Sequence, residues 1–128
     1  MAEVIVTADI FKGILTIINK ISGRNDRKND KVDQALFALF TAIVVTRGYA
    51  DKLSNGNVRN RNQELAIAEL WDKASIPLRH IDKDFASKCC DKGNYWLNSE
   101  IWTTEDIDEK GITLDKMEAM TRDLLLHQ

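Results

Sequence analysis

The side chains of this chain that could perform chemistry are few and badly spaced for it. His80, Cys89, Cys90 and His127 are its soft metal ligands, and they form no C-x-x-C, H-x-x-x-H or E-x-x-H pair. Diiron-type bundles need several inward carboxylates with a Glu-x-x-His pair, and the sequence offers none. No metal is expected. A thiol–imidazole pair of Cys89 or Cys90 with His80 would need both thiols out of an apolar face. The pattern puts both cysteines on that face, where cysteine acts as a small inert hydrophobe. Six glycines supply neither G-x-G-x-x-G nor G-K-[ST], so no phosphate-cradling loop and no nucleotide cofactor are expected. Glu105-Asp106 and Asp108-Glu109 pair carboxylates, but in a short capped turn that reads as a solvated face.

Basic and aromatic residues give the remaining candidates, all of them for binding. Arg59 and Arg61 flank Asn60 just before a helix, where free backbone N–H groups favour anions. The segment Val58–Asn62 is therefore a candidate contact for an acidic partner. Lys20, Arg24, Arg27, Lys28 and Lys31 form a second basic cluster, interleaved with Asp26 and Asp30. Trp71, Tyr95, Trp96 and Trp102 are an aromatic group that either closes a core or anchors an interface, often beside arginine. Arg79 lies two turns after Trp71 on the same helix, and Trp102 in the 98–104 loop is the tryptophan expected to be partly exposed. The candidate contact residues are thus Arg59, Arg61, Trp71, Arg79 and Trp102.

These residues must be positioned by helices. Gln34 to Thr46 is thirteen residues without a charge, too short for a bilayer, which takes about 20, and too apolar for an exposed helix face. It predicts a helix buried on most of its circumference. Around it the apolar spacing predicts helices over 7–22, 31–53, 60–80, 83–97, 105–110 and 114–126. Asn29 or Asp30, Asp82, Thr103 or Thr104, and Thr113 stand at capping positions. Gly48 inside the second helix suggests a close helix–helix approach, and Pro77 a kink or tight break. The expected face of the fourth helix is Ala86, Cys89, Cys90, Gly93 and Leu97, flanked by Phe85 and Trp96. The expected fold is all-α: a compact four- to five-helix up-and-down bundle, with a short extra helical turn before the C-terminal helix, in a single domain of 1–128.

Composition narrows function further. With 44% hydrophobic and 30% charged residues the chain is globular, large enough to fold without a metal or disulfide. A net charge of −2, with 18 basic and 20 acidic residues mixed along the chain, argues against reliance on a phosphate backbone. Adjacent cysteines rarely bridge, which suits a reducing compartment. The N-terminus has no secretion pattern, so the expected location is the cytoplasm. The leading functional expectation is a non-enzymatic helical interaction or self-association module, an accessory or regulatory subunit, whose partner is another protein or its own copy. One alternative is a membrane-active bundle using the amphipathic first helix. Another is an enzyme acting on nucleotide or nucleic acid through polar residues that converge from different helices.

Overall fold

The computed structural model describes residues 28–99 and 103–126, and every element among them is a helix. These are α1 (Lys28–Ser54), α2 (Arg61–Leu78), α3 (Lys83–Leu97), α4 (Thr104–Lys110) and α5 (Leu114–Leu126). They form an all-α bundle in which α1 packs on α2, α2 on α3, and α5 returns to α1. The predicted first helix, the basic cluster before Lys28, Trp102 and His127 lie outside the described residues.

The uncharged run explains the position of α1. Between residues 32 and 50 only Gln34 and Phe37 are exposed. Two stripes are buried. Ala35, Leu39, Ala42, Ile43 and Tyr49 enter the main core with Ile67, Trp71, Ala74, Leu78, Phe85 and Met117. Val32, Leu36, Phe40 and Val44 form a second stripe against Ile81, Leu124 and Leu125. At its C-terminal half α1 is tied to α5 by Arg47, which donates to Asp115 at 3.2 Å and to Glu118.

Local chemistry sets the helix ends. The Asn60 side chain accepts from Gln63 N at 3.0 Å and starts α2, and Asp82 accepts from Phe85 N at 3.0 Å and starts α3. Thr103 and Asp106 exchange side-chain bonds to each other's backbone N–H, at 3.1 and 3.0 Å, a reciprocal cap for α4. Thr113 caps α5 by accepting from Lys116 N at 3.3 Å. Gly56 (φ 87°) and Gly111 (φ 67°) take the left-handed conformation that lets the chain leave α1 and α4. Lys88 of α3 donates to the Lys110 carbonyl at 3.1 Å, fastening the end of α4.

Several local expectations change. Asn29 and Asp30 do not cap α1, which is already helical at Lys28, so Asp30 stands in its first turn. Pro77 falls in the last turn of α2 and the chain breaks over 79–82, with Leu78 still buried, which is the tight break its position suggests. A close helix contact is seen at Gly93. A Cβ on Gly93 would come 3.1 Å from the Ala68 carbonyl and would clash with Asp72 Oδ1, so the missing side chain lets α3 approach α2. The buried face of α3 is Phe85, Ala86, Cys89, Lys92, Gly93 and Trp96. It is rotated from the expected one: Cys90 and Leu97 are exposed, and a lysine takes a core position.

Candidate functional site

The most organised polar constellation lies where the 55–60 loop meets the start of α2 and the end of α3. At its centre is Glu64, a carboxylate only 1% exposed. It sits on α2 in phase with Ile67, Trp71, Ala74 and Leu78, which carries it into the core. A buried carboxylate must be paired to be tolerated, and this one is paired on every side. Tyr49 of α1 donates its hydroxyl to Glu64 Oε2 at 2.5 Å. Arg59 bridges both oxygens, Nε to Oε2 at 2.8 Å and Nη2 to Oε1 at 2.9 Å. Arg61 adds a longer contact to Oε1 at 3.5 Å.

The same groups reach outward to fix their surroundings. The Tyr49 hydroxyl accepts from the Asn60 backbone N–H at 2.9 Å, holding the loop onto α1. Arg61 donates to the Trp96 carbonyl at 3.1 Å and to the Leu97 carbonyl, satisfying acceptors that the end of α3 leaves open. Arg59 also donates to Ser99 Oγ. Asn57 closes the other side of the loop, its backbone N–H and side-chain amide both donating to the Lys52 carbonyl, at 3.0 and 2.9 Å. The result is a clamp joining α1, α2 and α3 around one anion.

Electrostatics follow from that geometry. The Arg59 bonds hold the Glu64 carboxyl below its usual range, against the opposing effect of burial. The same bonds raise the Arg59 guanidinium. Burial first, and then the bond to Glu64, push the Tyr49 phenol above its ordinary value. Glu64 is therefore ionised and fully committed near neutral pH. It positions its neighbours and is poorly suited to carry a proton.

The loop held by this clamp presents a distinctive surface. Val58 is 88% exposed, the most exposed large apolar residue described. Arg59 and Arg61 keep 54% of their side-chain surface open while bound to Glu64. Leu97 and Leu65 are also exposed, Leu65 one turn along α2 from Arg61.

The other candidate residues are placed differently. Trp71 is a core residue without exposed surface, its Nε1 donating at 3.0 Å to Thr46 Oγ1, which donates to the Ala42 carbonyl at 2.6 Å. It cannot touch a partner in this state. Arg79 is exposed at the C-cap of α2, outside the clamp. Among the described residues no group of three or more His, Cys, Asp or Glu side chains is placed to hold a metal. Burial, then the neighbouring Cys90, raises the Cys89 thiol far above neutrality and keeps it protonated. Glu64, Tyr49 and Ser99 were not among the sequence candidates. The available signal for Glu64 was its phase on the apolar stripe, three residues after one arginine and five after another.

No family model, curated protein or solved structure matches the chain.

Proposed function

We propose that this chain is a non-enzymatic helical module that binds another protein or a second copy of itself. Its contact surface is the end of the bundle formed by the 55–61 loop and the last turn of α3. The observation that carries this reading is Val58, exposed on a loop whose backbone is fastened on both sides. An apolar side chain on a pre-ordered loop adds contact area with little further ordering cost. The flanking half-open guanidiniums favour a partner segment that combines acidic with apolar side chains. Free Cys89 and Cys90 suit a reducing compartment such as the cytoplasm. No helix among the described residues is long and apolar enough to cross a membrane.

The test is an NMR titration with a synthetic peptide alternating glutamate and leucine, alongside light-scattering mass to detect pairing of the chain itself. Amide shifts confined to 55–65 and 97–99, and lost in Val58→Asp, are the expected outcome. Shifts spread over the bundle, or unchanged in Val58→Asp, would remove the reading.

A further inference from the structure

α2 turns one face to the core and the opposite face to solvent, and the solvent face has an order of its own. Ile67, Trp71, Ala74 and Leu78 are buried. Half a turn around the helix stand Asn62, Ala66, Glu69, Lys73 and Ile76, all exposed, and His80 continues the line in the turn that follows. Ile76 is 56% exposed, and Leu65, beside Ala66, is 39% exposed. At the centre of the stripe Glu69 and Lys73 pair at 3.1 Å, each side chain 65% exposed.

A single apolar residue on a surface needs no partner. What sets this stripe apart is its symmetry. Its members are spaced four, three, four, three and four apart, the alternation of a coiled-coil seam. They are also palindromic about Trp71: Asn62 mirrors His80, Ala66 mirrors Ile76, and Glu69 mirrors Lys73. A two-fold axis brings residue i onto j and j onto i. Laid antiparallel across such an axis, two copies of α2 set each Glu69 against a Lys73 and each Ile76 on a small Ala66. Leu65 then meets Pro77 at the flank. A parallel pair would instead put Glu69 on Glu69 and Lys73 on Lys73, which repel. The charge order fits a second copy of the same helix, in one direction.

We propose that the solvent face of α2 is a self-association surface, on which two copies of this chain pair antiparallel about a two-fold axis at the middle of the helix. Ile76 is the apolar anchor, and the two Glu69–Lys73 pairs fix the register. A seam along one helix of 18 residues stays below the about 1,200 Å² of a stable interface, so the dimer forms and dissociates with concentration. The anchor lies in the last turn of α2, at the far end from the Val58 loop, so either surface can fail without the other.

The experiment is sedimentation velocity of the full chain from about 10 μM to about 1 mM, the weak end of specific pairing. The mass should rise from monomer toward dimer over that range. Ile76→Glu, checked by circular dichroism to be folded, should weaken pairing at least about tenfold. Glu69→Lys and Lys73→Glu should each weaken it about tenfold by setting like charges face to face. An equimolar mixture of those two variants should pair more tightly than either alone, because opposite charges then meet at both positions. Val58→Asp should leave the dimer intact. A monomer mass up to about 1 mM, pairing undiminished in Ile76→Glu, a mixture no tighter than its components, or loss of pairing in Val58→Asp would each overturn the proposal.

Discussion

Glu64 and Lys92 are both charged residues in core positions, and the protein treats them in opposite ways. Glu64 on α2 meets a phenol and two guanidiniums, so that both its oxygens are engaged. Among the described residues Lys92 on α3 has its ammonium 5.3 Å from the centre of the Tyr95 ring and joins no ion pair. The paired charge explains itself as structure, because it fixes a loop and the ends of two helices. Lys92 is held by no such set of bonds among the described residues, and burial sets its electrostatics. Pairing, rather than burial, separates the two cases.

The largest effect is expected at Glu64. Glu64→Ala strands the Tyr49 hydroxyl and leaves two guanidiniums without their anion, so it should cost about 3–5 kcal/mol in denaturant unfolding. A loss below about 1 kcal/mol would mean that the clamp is ornamental. Lys92→Met should act in the opposite direction. Burial draws the Lys92 pKa from 10.5 down to about 8 in the folded chain. At about 1.4 kcal/mol per unit, that is a penalty of about 3 kcal/mol at neutral pH. Met at this position should raise stability by about 2 kcal/mol or more at pH 7.

Proton linkage sharpens the same point. Between about pH 8 and 10.5 the unfolded chain holds a proton on Lys92 that the folded chain has released, so this residue makes stability rise with pH there. Below about pH 8 the penalty is fully present, and above about pH 10.5 it has gone. The difference in stability between wild type and Lys92→Met should therefore shrink across that window, and a constant difference would contradict the buried ammonium. A smaller effect is expected at Gly93. Gly93→Ala gains about 1 kcal/mol of helix propensity but forces back the Ala68 carbonyl and the Asp72 side chain, for a net loss of about 1 kcal/mol. Adding Asp72→Ala should recover part of it, since a side chain yields more readily than a carbonyl. The smallest effect belongs to Val58→Asp, which should change stability by less than about 0.5 kcal/mol because the residue packs on nothing.

What the sequence made legible was whatever is decided locally. The caps at Asp82 and Thr113 depend on residues three apart, and the burial of α1 on an uncharged run, so both could be read directly. The clamp depends on Tyr49, Arg59, Glu64 and Ser99 meeting from two helices and two loops, which no local spacing announces. Arg59 and Arg61 drew attention as a pair flanking Asn60, but the anion that orients them is internal. One signal was nevertheless present for both buried charges. Glu64 is in phase with Ile67, Trp71, Ala74 and Leu78, and Lys92 with Phe85, Cys89 and Trp96. Reading the stripe of α3 through Cys90 and Leu97 placed Lys92 off the core face.

Glu64 holds the 55–60 loop in a fixed form, with Val58 presented on it. Hydrogen exchange of the Asn60 amide, which donates to the Tyr49 hydroxyl, reports on that hold. The Asn60 amide should be strongly protected in the wild type and lose that protection in Glu64→Gln. Exchange at the rate of an open loop in the wild type, or protection untouched by Glu64→Gln, would contradict it.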